Sequence, residues 1–306
     1  MGSLMAVRGI GANGQGDLFG LAKAIDYAVQ NGAHIISASW GAKIQESQAQ
    51  PITEAITRAN DRGVIFVVAS GNDGQNTDSV EFYPANTKLP NVISVAASQS
   101  DDTKPDWSNY GLSNVHVASP GHQIMSRVTN NAYQNLYGTS MATPLVSGIV
   151  ALLFSTSEQP LDGYTIRAIL QSTGASVAIQ TACMCRIDAK AAVDAIVAKQ
   201  LTVVPSALTL APNEQSQFGA FGGEAPYSYS SSNTAVGSVD GNGMFSALSL
   251  GETTVTVSDA SGATATSLAI RVAEKQQGGG GGEMCPFDPE VCQLLCLFDP
   301  TLPWCQ

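Results

Sequence analysis

Four short apolar runs recur along the first 120 positions: HIISAS (34–39), VIFVVAS (64–70), NVISVAAS (91–98) and VHVAS (115–119). None alternates polar with apolar residues, as a strand with one wet face would. Each is therefore expected to be covered on both faces, and such strands belong to parallel sheets flanked by helices. Helices to cover them lie between the runs. Asp17–Asn31 sets Leu18, Leu21, Ile25, Ala28 and Val29 on one stripe behind a capping Asp17. PITEAITRANDRG (51–63) reads as a second helix, with Pro51 near its start and Gly63 at its stop. A further strand is expected over SLMAVRG (3–9). Strands alternating with helices define an α/β domain.

The texture changes at Leu201. Short alternating stretches such as Thr253–Ser258, with turn residues at close intervals and no helical period, predict a small all-β sandwich. QQGGGGG (276–282) reads as a flexible linker. It leads to a tail with Cys285, Cys292, Cys296 and Cys305, too short to hold itself with a core. Two disulfides are the expected staple of that tail, formed in an oxidising, extracytoplasmic compartment; spacing does not say which pairs form. Zinc is disfavoured, because no histidine lies nearby and no Cys-x-x-Cys pair occurs. The expected division is 1–199, 200–275 and 276–306.

Charge narrows the partners. With 14 basic against 25 acidic residues the net charge is −11, and no basic cluster occurs, which excludes nucleic acid and anionic membrane surfaces. The start MGSLMAVRGIGANGQG shows no secretory signal. The longest apolar stretch, Leu145–Phe154, is about half of a membrane span and is interrupted by Ser147 and Gly148, so it reads as a buried helix and no span is expected.

Chemistry concentrates in YGTSMATPLVSG (137–148), where small residues run into that apolar helix. Ser140 falls at the helix start, beside free amides and the positive end of the dipole. It could be a nucleophile whose oxyanion those amides stabilise, or simply a helix cap. Asn72, in VASGND (68–73), lies just past the carboxyl end of a strand, where α/β sheets gather their sites. Its amide could serve the same oxyanion, or Asn72 could be a turn residue of GNDG.

YGTSMATPLVSG, VASGND and IISASWG (35–41) together resemble the subtilisin-like serine proteases. Weaker matches, YPANTKLPNVISVAA (83–97) and NVHVASPG (114–121), fall between them in family order, and the resemblance covers Leu4 to about Val197. In the second region VVPSALTLAPNE and SSSNTAVGSVDGNGMFSALSLGETTVTV resemble the bacterial immunoglobulin-like group 2 repeat. The resemblance implies a three-layer, parallel-sheet subtilisin-like domain followed by an immunoglobulin-like sandwich. It implies Ser140 as nucleophile toward polypeptide substrates and Asn72 as oxyanion donor. Ser39, Trp40 and Gly41, with Ala69, Ser70 and Gly71, would flank the specificity pocket, their glycines letting a peptide backbone pair as an added strand. Trp40 could equally be core packing. Calcium is expected by the family's habit alone, since no acidic loop names its ligands. A cell-surface or carbohydrate ligand is expected for the immunoglobulin-like module, and a secreted or cell-surface location for the chain.

One part of the pattern is missing. In the family the aspartate and histidine of the triad precede the strand matching Leu4–Arg8, and no DTG-like or HGT-like segment occurs in this sequence. His34, His116 and His122 align with structural positions instead. In subtilisin itself, losing the histidine costs about a millionfold in turnover. The chain is thus expected to be an N-terminally truncated protease domain, nearly inactive as it stands. With a central strand gone, residues 1–200 alone should be poorly stable. It is either the carboxy-terminal part of a secreted endopeptidase or a non-catalytic scaffold whose sandwich and tail bind a surface or polysaccharide. Asp73, Asp78 and Glu81 either favour basic substrates or are ordinary loop charge.

Overall fold

The computed structural model describes residues 2–11 and 14–274. The cysteine tail and its expected disulfides lie outside the described residues.

The element order from the amino end is α1 (Leu18–Gln30), β1 (Ile35–Ala38), α2 (Glu46–Asp61), β2 (Ile65–Ala69), β3 (Val92–Ser98) and β4 (Val117–Pro120). There follow a hairpin of β5 (Ile124–Arg127) and β6 (Tyr133–Leu136), then α3 (Thr139–Thr156), α4 (Gly163–Thr173), β7 (Ala175–Ser176), β8 (Cys185–Arg186) and α5 (Ala189–Val197). The sheet order is β1-β2-β3-β4-β8-β7, parallel from β1 to β8. Alternate residues of β2 show why the apolar runs are unbroken. Ile65 and Val67 enter the core beneath α3, α4 and α5, while Phe66 and Val68 enter the one beneath α1 and α2. Both faces are dry, and three layers result.

Three expectations need correction. Residues 3–9 form no strand, and Leu4, Met5 and Val7 stand exposed. Among the described residues no partner strand lies beside them to satisfy their backbone. The second helix starts at Glu46, one turn earlier than its proline suggests. Gln45 and Gln48 form a reciprocal capping box there, and Pro51 is carried inside. β1 is not covered on both faces, since only Ala38 is buried. Among the described residues it is the edge strand, bonded to β2 alone. Beside it α3 turns Pro144, Leu145, Gly148, Ala151, Leu152 and Ser155 outward, with Leu152 49% exposed. α3 is 18 residues long and apolar enough to cross a membrane by length and composition alone. Its packing on β1 to β4 makes it the core helix of this domain.

After α5 the chain becomes all-β: β9 (Thr202–Val204), β10 (Leu208–Leu210), β11 (Gln215–Gln217), β12 (Gly219–Phe221), β13 (Ser228–Ser231), β14 (Gly237–Val239), β15 (Met244–Ala247), β16 (Gly251–Thr253), β17 (Val255–Ser258), β18 (Thr264–Thr266) and β19 (Ile270–Val272). Their inward residues enclose a core of Val203, Phe218, Phe245, Val255, Val257, Ile270 and Val272. From Thr253 to Ser258 burial alternates residue by residue, as the sequence pattern requires. The two regions are joined by buried and half-buried contacts. Phe221 packs against the α/β core, Ser206 Oγ donates to Gln171 Oε1 at 2.7 Å, and the hydroxyls of Ser113 and Thr209 meet at 3.1 Å.

One disulfide, Cys183–Cys185, is present among the described residues. Closing so small a loop removes only ~1.6 kcal/mol of unfolded-chain entropy, against ~4.7 for a loop of about 100 residues.

Candidate active site

β2 ends at Ala69, and the turn beyond it is fixed by a buried side chain the sequence did not single out. Asn109 Nδ2 donates to the Ser70 carbonyl at 2.8 Å, and its Oδ1 accepts from the amides of Asp73 (3.0 Å) and Gln75 (2.9 Å). The Asn109 amide returns a bond to the Gly71 carbonyl. Gly71 has φ +104, and a Cβ there would lie 2.3 Å from Asn109 Nδ2, so the position requires glycine. An isolated asparagine in WSNYG carries no periodic signal, and for that reason sequence reasoning passed it over.

This turn delivers Asn72 to the start of α3. Its Oδ1 accepts from the Thr139 amide at 2.9 Å and the Thr139 hydroxyl at 3.0 Å. A backbone N–H can only donate, so the oxygen's place is settled and Nδ2 is left as a donor toward the cavity. The Ser140 amide is a second donor there, because the helix's first bonds to the Gly138 carbonyl come from Met141 and Ala142. Ser140 Oγ donates to the Ser39 carbonyl at 3.2 Å, and Ser39 Oγ donates to the Ser140 carbonyl at 2.8 Å. β1 and α3 are thereby latched at the site, with a second latch from Ser147 Oγ to Ser37 Oγ at 2.9 Å.

A cavity of about 270 Å³ opens here, lined by Ser39, Trp40, Gly41, Ala69, Gly71, Asn72, Asp73, Phe82, Thr139 and Ser140. Seven of the eight residues singled out from sequence converge on it. The exception, Ser70, is fully buried behind the wall, with its hydroxyl turned to the Asn109 carbonyl. Phe82, which the sequence did not reveal, lies between two glycines. A Cβ on Gly41 would approach its ring to 2.4 Å, and one on Gly71 to 2.9 Å. Trp40 fills both roles considered for it, lining the cavity while its ring meets Phe66 edge-on at 6.3 Å.

Of the three loop acids, two are structurally engaged. Asp78 accepts from the amides of Leu112, Ser113 and Asn114, and Glu81 accepts from the Glu46 amide at the start of α2. Asp73 alone faces the cavity, whose lining contains no lysine or arginine. Burial pushes the nearby Tyr83 phenol far up, reinforced by Glu46 and Glu81, so it stays protonated.

None of the three histidines serves Ser140. His34 packs on Phe154, 14 residues along α3 from Ser140 and so about 21 Å away. His122 stacks edge-on against Tyr137 at 4.9 Å. His116 is buried. Its Nδ1 accepts from the Ser94 amide at 2.9 Å while Nε2 faces Arg167 Nη1 at 3.0 Å. Burial, and then the Arg167 charge, hold its pKa well below the ordinary histidine value. Among the described residues no group of three or more His, Cys, Asp or Glu could hold a metal ion.

A family model described as the subtilase family matches residues 2–207, and one described as the intimin immunoglobulin-like domain matches residues 214–261. Thermitase of Thermoactinomyces vulgaris is 38% identical over 171 residues, 56% of this chain and 57% of that protein. Subtilisin-like protease 2 of Plasmodium falciparum is 36% identical over 154 residues, 50% of this chain and 12% of the relative. The chain thus spans well under two thirds of these relatives. Among solved structures, the prenylagaramide maturation protease PagA superposes with a TM-score of 0.51 at 29% identity, covering 60% of this chain and 68% of its own. A cold-adapted subtilisin-like serine proteinase gives 0.50 at 28% identity, covering 55% of this chain and 59% of its own.

Proposed function

The chain belongs to the subtilase family, and we propose on that premise that it carries the nucleophile and oxyanion half of a serine endopeptidase. The observation that carries this reading is the pair of donors, Asn72 Nδ2 and the Ser140 amide, beside a hydroxyl latched at the mouth of a cavity. In the proposed reaction Ser140 Oγ attacks a peptide carbonyl, whose oxygen takes up negative charge between the two donors. The amine then leaves and water hydrolyses the acyl-enzyme. The hydroxyl proton needs an acceptor stronger than the Ser39 carbonyl.

That base, and the carboxylate orienting it, would come from polypeptide outside these 306 residues. Two features support this. β1 has an unpaired edge, and the exposed stripe of α3 (Pro144, Gly148, Ala151, Ser155) continues from Ser140 at helical spacing. A segment covering that apolar stripe passes beside the nucleophile. The pocket's single unengaged acid, Asp73, favours a basic side chain next to the scissile bond. Placing residues 1–199 and 200–275 as separate domains, with a secreted or cell-surface location, belongs to the same proposal.

Fluorophosphonate labelling tests it. Ser140 should label only when the chain is preceded by its in-frame upstream segment, one carrying DTG-like and HGT-like motifs. An in-frame stop just before Met1, with no labelling in the native protein, would instead establish the non-catalytic reading. Surface or polysaccharide binding would then be sought in residues 200–306 within the whole chain.

A further inference from the structure

The Cys183–Cys185 disulfide joins a loop to itself instead of one element to another, with its halves two positions apart. Its two sulfurs differ in access. Cys185 is 2% exposed in β8, within the core under α3 to α5, whereas Cys183 is half-buried at that core's margin. Met184 between them is 44% exposed and held at φ 48, in the left-handed region that a side chain with a Cβ adopts only at a cost. The loop is otherwise tied down by bonds that involve neither sulfur. The Ala182 amide donates to the Val115 carbonyl at 2.7 Å, and the Val177 amide to the Met184 carbonyl at 2.9 Å. Thr181 Oγ1 lies 3.6 Å from Cys183 Sγ. A bridge that closes the smallest loop, sits at an accessible margin and coincides with backbone strain fits reversible exchange better than reinforcement of the fold.

We propose that Cys183–Cys185 is an exchangeable dithiol–disulfide couple, a redox-modification site whose co-reactant is a dithiol reductant. A thiolate of the reductant attacks Cys183 Sγ; the S–S bond breaks and Cys185 leaves as a thiolate that takes up a proton. The reductant's second thiol, as thiolate, attacks the mixed disulfide and departs oxidised, and Cys183 takes up the second proton. Two electrons and two protons thus pass from the reductant to the pair. The Thr181 hydroxyl is placed to donate to the Cys183 thiolate as it forms. Reduction frees Met184 from its left-handed backbone and leaves the strand pairing of β8 in place.

The test is graded reduction of the intact, folded chain with dithiothreitol. Samples are trapped with iodoacetamide, and the peptide containing Cys183 and Cys185 is weighed while near-ultraviolet circular dichroism reports the fold. With the dichroism unchanged, one alkyl group should appear on that peptide, at the accessible Cys183, and a second, at the buried Cys185, only when the trapped sample is afterwards denatured in iodoacetamide; both should be absent when oxidised dithiothreitol is restored before trapping. Met184→Gly accepts φ 48 without strain, so this variant should need about fivefold more reductant to reach half-reduction. Alkylation that appears only once the dichroism has collapsed overturns the proposal, as does a midpoint that Met184→Gly leaves in place.

Discussion

Ser140 stands between two unlike walls. On the β2 side a chain of hydrogen bonds fixes the turn. Asn109 holds the turn that carries Asn72, Asn72 holds Thr139, and two glycines leave room for the Phe82 ring. On the β1 side two hydroxyl latches are the hydrogen bonds from strand to helix, and beyond them lie, among the described residues, an unpaired edge and an outward stripe of α3. One wall is preorganised for charge stabilisation. The other has the character of an interface awaiting cover. The contrast teaches that electrostatic stabilisation and proton transfer are built by separate parts of this fold, so one can be complete while the other is absent.

The largest test of the contrast is to supply the second wall. Peptide hydrolysis by the 306-residue chain should rise about a millionfold in turnover when it is preceded by a segment carrying the base. Equal rates with and without that segment would erase the distinction between the walls. In the active, extended form, Asn72→Ala should lower turnover about 100- to 1000-fold with little change in KM, the magnitude known for subtilisin's own oxyanion donor.

Asn109→Ala probes the finished wall through stability. It removes a buried side chain that holds two amides and a carbonyl of a partly exposed turn and should cost about 1–3 kcal/mol in urea unfolding. A loss below half a kcal/mol would show that the turn holds itself. At the opposite end of the sheet, His116 provides a pH dependence. Its folded pKa lies below the unfolded value of about 6.5, so the unfolded chain binds more protons in acid. Stability from this group is complete above about pH 6.5 and falls below it, by at most ~1.4 kcal/mol per pH unit, and His116→Gln should remove that slope. The smallest effect belongs to the open wall. Leu152→Glu should change the stability of this chain by less than about 0.5 kcal/mol, because the side chain is already half exposed. The same substitution should abolish activation by the added segment. A large loss of stability in the chain alone would mean that the stripe is packed within it.

Much of the fold was legible in the sequence, for identifiable reasons. The runs at 64–70 and 91–98 are buried on both faces, so composition alone marks them as strands. Ser140 and Asn72 are carried by short motifs whose local geometry, a helix start and a strand end, is set by neighbours in sequence. What escaped depends on distant partners. Asn109 acts on a turn more than thirty residues away, Phe82 reaches the pocket through a long loop, and Ser70 is turned inward by a carbonyl its own segment does not contain. Leu4–Arg8 failed in the opposite sense, since a strand's pattern without a neighbouring strand makes no ladder.

The hydroxyl of Ser206, seated on Gln171, has a mechanical consequence. Gln171 in turn donates to the carbonyl of His116, which leads into β4. Part of a pull exerted on the immunoglobulin-like region therefore enters through α4 and the start of β4. Ser140 sits at the other, carboxyl ends of the parallel strands, so load taken up at this anchor is applied away from the reactive corner.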